Sequence, residues 1–332
     1  MSWGEVRAAR AAHEASLFRR ANVVGIGVAH KVIAGEETDE PCVVVFVERK
    51  RPEDELRRRD IVPKALKGIR TDVVETGRFA ARELVDPPTV DRTERIRPAP
   101  GGVSIAHERV TAGTLGVLAT RDGRAVILSN NHVLANENNA LFGDPILQPG
   151  PADGGRAADA IAHLDDFVPI AFSERALGPL GRFLERLLGP FLSLFGLGLK
   201  RLPTDGANTV DAAVGLPIAD DVVAPDILEI GRVIGSTNAE VGMRVRKSGR
   251  TTGLTRGRIT ALDAVVEVDY GARTAVFRRQ IVSDVLSRGG DSGSLVVTDD
   301  NRAVGLLFAG GATTTLMNPI RDVLRALRLT LG

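Results

Sequence analysis

The chain has a single cysteine, Cys42. No intramolecular disulfide can therefore brace the fold, and a thiolate-rich zinc site lacks its ligands. Tyrosine and tryptophan occur once each, and aromatic residues make up only 4%. That is too few for a platform on which single-stranded nucleic acid could stack. Neither sign of charge prevails, with 43 Lys and Arg against 42 Asp and Glu, so no broad basic field argues for a nucleic-acid partner. The opening residues Met1-Ser2-Trp3-Gly4-Glu5-Val6-Arg7 carry an acid and no following apolar run, unlike a secretory leader. Together with the lone cysteine this gives a cytoplasmic expectation. A membrane span of ~20 nearly uncharged residues is also missing. The nearest approach is Ala176 to Leu199, rich in Phe183, Leu187, Leu188, Phe191, Leu192 and Phe195 but interrupted by Arg182, Glu185, Arg186 and Gly189-Pro190. We read it as the heart of an insert at about 171–203, a helical hairpin packed on the body of the protein or on a neighbouring subunit. Contact with a membrane interface is the lesser alternative.

At 332 residues the chain is long enough for two or three cores. Residues 1–83 read as a small α/β domain. Val6, Ala9, Ala12 and Leu17 fall at helical spacing within residues 2–20, and Asn22 to Ala29, Cys42 to Glu48 and Thr71 to Gly77 read as strands. Ala34 to Pro41 reads as a polar turn between the first two. Residues 84–102 hold Pro87, Pro88, Pro98, Pro100, Gly101 and Gly102, a linker composition. From residue 103 to 318 short strands recur at regular spacing, among them Thr114 to Thr120 and Ala125 to Ser129, joined by a hairpin signal at Asp122-Gly123. Val210 to Val214 reads as another. Such a pattern predicts a mainly β barrel or sandwich. Residues 319–332 predict a closing helix that starts at Pro319 and carries Ile320, Val323, Leu324 and Leu327 on one face.

Against that frame stands Gly289-Gly290-Asp291-Ser292-Gly293-Ser294, followed by the apolar Leu295-Val296-Val297. A serine set among small residues suits a nucleophile loop, but its hydroxyl needs a base. Five histidines are available: His13, His30, His107, His132 and His163. Only His132 follows a strand end and opens a short apolar turn, from which a side chain can reach a cleft. A third group must hold the imidazole and stabilise its charged form. Asp211 is the best placed, since an acid among Val210, Ala212, Ala213 and Val214 is costly without a partner. Asp159, Asp165, Asp166 and Asp205 are alternatives that solvent would explain.

In this order, Asn131-His132-Val133-Leu134, Val210-Asp211-Ala212-Ala213 and Gly290-Asp291-Ser292-Gly293 resemble the three active-site motifs of chymotrypsin-like serine proteases. The resemblance covers roughly residues 103–318. It implies two six-stranded antiparallel β-barrels behind the small α/β region, with His132, Asp211 and Ser292 as a catalytic triad. Arg246-Lys247-Ser248-Gly249-Arg250-Thr251-Thr252-Gly253 and the strands Val23 to Val28 and Val43 to Glu48 resemble more narrowly the plant Narrow Leaf type proteases and their bacterial relatives, which tend to form homo-oligomers. By the same resemblance, the amides of Gly290 and Ser292 form an oxyanion hole. Leu286, Phe308, Ala309 and Gly310 would then line a specificity pocket that, lacking an acid at Leu286, prefers an apolar residue. Protein or peptide substrates and no cofactor or metal are implied. A catalytically silent scaffold or regulatory module, or a protease that processes only itself, is the alternative. Secreted members pair the acid before the serine with a freed N-terminus. Asp291 here must find another cation, rely on its neighbouring loops, or meet a new N-terminus at Val103 freed by cleavage near Gly101-Gly102.

Overall fold

A computed structural model of the chain describes residues 2–33, 35–81, 91–172, 208–271 and 273–332. Helix α1 (Trp3–Phe18) starts where Ser2 and Glu5 cap each other, the Glu5 amide donating to Ser2 Oγ and the Ser2 amide to Glu5 Oε2 at 2.7 Å. Its buried face, Val6, Ala9, Leu17 and Phe18, lies on a hairpin of β1 (Val23–Ile33) and β2 (Glu36–Val47). The inward residues Ile26, Val28, Val43 and Val45 complete that core. The expected polar turn over Ala34 to Pro41 is mostly strand. Val32 faces Glu37 and Ile33 faces Glu36, because backbone pairing carries the hairpin out past the end of its apolar sequence. The third strand, β3 (Ile69–Glu75), runs parallel to β2, with Val43 opposite Thr71. A short strand, β4 (Phe79–Ala80), follows.

Ala99–Gly101, Val223–Ile227 and Gly231–Arg232 form a small separate sheet, and most of the other strands close two rings. In the first, β5 (Val117–Arg121) and β6 (Arg124–Ser129) form the expected hairpin, and β7 (Ala213–Pro217) lies beyond β6. Ala160–Phe167, Pro145–Leu147 and Ser104–His107 continue the circuit, and Gly113–Thr114 brings it back to the start of β5. The second ring is β8 (Arg244–Gly249), β9 (Gly253–Asp269), β10 (Thr274–Ser283), β11 (Leu295–Val297), β12 (Ala303–Gly310) and β13 (Thr315–Pro319). The order is β8-β11-β12-β13-β10-β9, and β9 pairs back to β8. Both six-stranded antiparallel rings agree with the sequence reading. The closing helix α3 (Ile320–Leu327) is shorter than the expected 319–332, and its Ile320, Val323 and Leu327 are buried against Val117, Leu128 and Leu306. After it, Leu329 returns to pair with Arg121 of β5.

Two features lie outside the sequence pattern. The N-terminal strands are hydrogen-bonded into the second ring, where β1 pairs antiparallel with β9 and Gly25 faces Val266. Phe79, 1% exposed, then plugs the seam, edge-on to Phe46 at 5.9 Å and in one cluster with Phe277 and Phe308. Among the described residues no helix is long and apolar enough to cross a membrane. The Leu/Phe-rich stretch Ala176 to Leu199, on which the subunit and membrane expectations rested, lies outside the described residues.

Candidate active site

His132 is placed by what its neighbours bury. It sits on α2 (Asn131–Leu134), a single helical turn leaving β6, and Val133 and Leu134 are sunk in the core of the first ring. Asn131 pins the turn from below, its amide nitrogen donating to Asn138 Oδ1 and to the Val168 carbonyl, both at 2.8 Å. The imidazole is turned outward and keeps 12% of its surface exposed. Its Nδ1 lies 2.6 Å from Asp211 Oδ2, and its own backbone amide donates to Asp211 Oδ1 at 3.2 Å. A carboxylate only accepts, so Nδ1 carries the proton. In the neutral ring Nε2 is therefore the basic nitrogen.

Asp211 is fully buried, as its apolar neighbours required. It lies not within a strand, however, but on the approach to β7, which begins at Ala213. Leaving the pleat frees both carboxylate oxygens to turn toward α2. Its backbone is held from two sides: Asn130 Nδ2 donates to the Asp211 carbonyl at 2.7 Å, and the Asp211 amide donates to Asn318 Oδ1 at 3.0 Å. Asn318 in turn donates to Gln280 Oε1 at 2.8 Å, and Gln280 to the Thr209 carbonyl at 2.9 Å. The chain's one tyrosine, Tyr270, donates its hydroxyl to Asp211 Oδ2 at 2.9 Å. Its ring stands edge-on to His132 with centroids 5.9 Å apart. Burial, and then the charge of Asp211, push the phenol well above the ordinary tyrosine value, so Tyr270 stays a donor.

Ser292 sits in a loop clamped from both rings. Thr114 of the first ring donates its amide to the Ser292 carbonyl and its hydroxyl to the Gly290 carbonyl, both at 2.8 Å. From the second ring, Thr251 Oγ1 donates to the Gly289 carbonyl at 2.6 Å, and the Gly293 amide to the Leu307 carbonyl at 2.9 Å. Gly290 and Gly293 have φ of +93° and +97°, a region costly for other residues. The amides of Asp291, Gly293 and Ser294 are engaged by the carbonyls of Arg288, Leu307 and Asp291. Those of Gly290 and Ser292 have no acceptor among the described residues, which is the state an anion-binding pair requires. Ser292 Oγ donates at 3.4 Å to the Phe308 carbonyl. Gly113 is wedged between Val133, next to His132, and the Ser292 carbonyl, and a Cβ there would touch both.

The cation for Asp291 is Lys247. Both side chains are fully buried, with Nζ 3.3 Å from Oδ2. Asp291 Oδ1 also accepts from the amides of Thr251 (2.9 Å) and Thr252 (3.0 Å), and Oδ2 from the Arg288 amide (2.9 Å) and Thr252 Oγ1 (2.7 Å). Lys247 donates further to the Gly253 carbonyl at 3.1 Å and to Thr252 Oγ1. Burial depresses the Lys247 ammonium below the usual lysine range while Asp291 opposes it. The Arg246-to-Gly253 stretch singled out in the sequence is thus the cradle of the nucleophile loop.

The other histidines have structural partners. His107 is buried against Asp144 Oδ2 at 3.0 Å, and His13, His30 and His163 bond the Ala9 carbonyl, Glu37 and the Gly143 carbonyl. Among the competing acids, Asp165 and Asp166 both grip Arg121, and Asp159 pairs with Arg95. Asp205 lies outside the described residues. Of the four residues expected to line a pocket, Leu286 is half-exposed, while Phe308 turns its ring into the core, 4.7 Å from Phe277. Ala309 and Gly310 are buried beside it on β12.

Comparison with known proteins agrees with the resemblance read from the sequence. Residues 4–75 match the model of the NARROW LEAF 1 N-terminal domain. Streptogrisin-A of Streptomyces griseus is 36% identical over 94 residues, 27% of this chain and 30% of that protein. Serine protease 2 of Streptomyces fradiae is 39% identical over 84 residues, 25% of this chain and 40% of that protein. The chain thus matches less than half the length of either relative. Among solved structures, Thermobifida fusca Protease A superposes with a TM-score of 0.44 at 18% identity, over 70% of this chain and 97% of that one. Cellulomonas bogoriensis chymotrypsin does so with a TM-score of 0.43 at 20% identity, over 70% and 98%.

Proposed function

We propose that the chain is a serine endopeptidase acting on protein or peptide substrates, with Ser292 as nucleophile, His132 as general base and acid, and Asp211 as the residue that holds His132. The observation that carries this reading is the 2.6 Å contact between His132 Nδ1 and a fully buried Asp211, set against a serine loop in which the Gly290 and Ser292 amides have no acceptor among the described residues. His132 Nε2 takes the proton of Ser292 Oγ as the oxygen bonds to the scissile carbonyl carbon. The carbonyl oxygen gains the electron pair and is met by the amides of Gly290 and Ser292. Asp211 stabilises the imidazolium without taking its proton. His132 then gives that proton to the leaving amine, and the C–N bond breaks. Water, deprotonated by the same imidazole, releases the acyl group from Ser292. A single buried cysteine fits work in a reducing compartment such as the cytoplasm.

Incubation with an alkyl fluorophosphonate and intact-mass analysis tests the reading. Wild type gains one adduct, and Ser292→Ala gains none. Turnover of a peptide substrate falls on the order of 10⁴-fold or more in His132→Ala and Ser292→Ala, and the two losses do not add. Wild type that never labels, or His132→Ala and Asp211→Ala variants that stay within about tenfold of wild type, overturn it.

A further inference from the structure

Strand β12 passes beside Ser292, and its two edges have different fates. One edge pairs with β13 to the end, Gly310 facing Thr315. The other pairs with β11 only as far as Leu307, whose amide donates to the Ser294 carbonyl at 3.0 Å and whose carbonyl accepts from the Gly293 amide at 2.9 Å. There the partner chain turns off into the Ser292 loop. Beyond Leu307 no strand of the described residues pairs with this second edge until Ala80. An extended peptide that adds there as a strand, over the buried Phe308 and Ala309, sets its reacting carbonyl on Ser292. Ser292 Oγ is 3.4 Å from the Phe308 carbonyl. The residue at the cut therefore lies by Phe308, the one before it by Ala309, and the third back by Gly310.

That third place is taken. Gly310 already pairs antiparallel with Ala80 of β4. Thr315 holds its other edge, so Ala80 occupies the edge a peptide would need. The strap is tied along its length. Phe79 faces Val268 and Ala80 faces Asp269 in a parallel pairing with β9. The Ala81 amide donates to the Asp269 carbonyl at 3.1 Å, and the Ala312 amide donates to the Thr76 carbonyl at 3.0 Å. Gly311 has no room for a Cβ, which would overlap the Thr76 carbonyl. Phe79 is buried at its centre.

We infer that β4 is a built-in stop on the acyl side of the cleft. Backbone pairing with substrate ends two residues before the cut, and selection falls on the residue at the cut and on the leaving side. This rests on the peptidase reading above. It places the substrates among chains that present a short accessible segment before the scissile bond, not a long extended one.

The experiment uses the full chain and measures the rate constant for Ser292 modification by intact mass. The probes are an alkyl fluorophosphonate and a series of aminoalkyl phosphonate esters bearing one to four residues. In wild type the rate rises up to the two-residue probe and then stays flat within about threefold. Ala81→Pro, which removes the bond to Asp269, and Phe79→Ala, which removes the plug, raise the three- and four-residue probes about tenfold or more relative to the two-residue probe. A wild-type rate that climbs about tenfold with the third and fourth residues overturns the inference, as does a folded Ala81→Pro protein with a flat response. Should Phe79→Ala fail to fold, the wild-type series and Ala81→Pro decide. A wild type that the alkyl probe does not label refutes the peptidase reading itself and takes this inference with it. Labelling with a steep length dependence refutes only the strap.

Discussion

Replacing Lys247 by methionine removes the cation beneath Asp291 while leaving a side chain of similar length to fill the space. At 3.3 Å and an effective dielectric of ~20, the gross attraction of the pair is on the order of 5 kcal/mol. Burying the ammonium works against this and holds the Lys247 pKa below the usual lysine range. Asp291 also keeps its bonds from Thr251, Thr252 and Arg288. The net loss for Lys247→Met is therefore about 1–3 kcal/mol. The reverse change, Asp291→Asn, leaves a buried ammonium with only Thr252 Oγ1 and the Gly253 carbonyl, and costs about 3–5 kcal/mol. Urea midpoints of wild type, both single variants and the double variant give the coupling, expected at about 1 kcal/mol or more, the double being less damaged than the sum. Fluorophosphonate labelling at Ser292 should slow by about tenfold or more in each single variant, because the loop loses its anchor. Additivity within about 0.5 kcal/mol, or unchanged labelling in both single variants, refutes the claim that this pair holds the loop.

Tyr270→Phe keeps the ring against His132 but removes the hydroxyl that shares Asp211 Oδ2. An Asp211 relieved of that donor holds the imidazolium more strongly, so the acidic limb of kcat/KM should move to higher pH. An unmoved limb would assign Tyr270 to packing alone. Gly293→Ala puts a Cβ at φ +97° into Ser129 Oγ and the Thr114 carbonyl. We expect a loss of about 3 kcal/mol or more in urea unfolding together with loss of labelling, and a near-neutral result would mean that the clamp between the rings is not tight. Cys42 is fully buried, and burial pushes its thiol up to about 12. Native protein should resist a thiol-specific disulfide reagent at pH 8 and react fully in denaturant, and a fast native reaction would contradict that burial.

Ser292, His132 and Asp211 stood out as candidates because each breaks a local rule: small residues clustered before an apolar strand, an imidazole at a strand end, an acid among valines and alanines. A mainly β body followed from regular short strands and turn residues, and its two rings from the resemblance alone. Tyr270 left no such mark, since a tyrosine ending a long strand is ordinary and its contact with Asp211 spans 59 positions. Lys247 could have been found. In Arg244-Val245-Arg246-Lys247 the period of two that buries Val245 also buries Lys247, yet a lysine among arginines reads as surface. The pairing of β1 with β9 depends on contacts that no local pattern encodes. Asp211 was read as part of a strand because apolar runs before a strand and within it look alike.

The seam between β1 and β9 sets a timetable for synthesis. Gly25 and Val266 differ by 241 positions, which at ~5–20 residues per second is roughly 10–50 s of translation. Throughout that interval β1 has an open edge, and Ala29, Val44 and Phe46 lack the Val266 and Phe277 with which they cluster. A nascent chain must therefore hold the β9 edge of β1 unclaimed until Val266, 241 positions later, has left the ribosome.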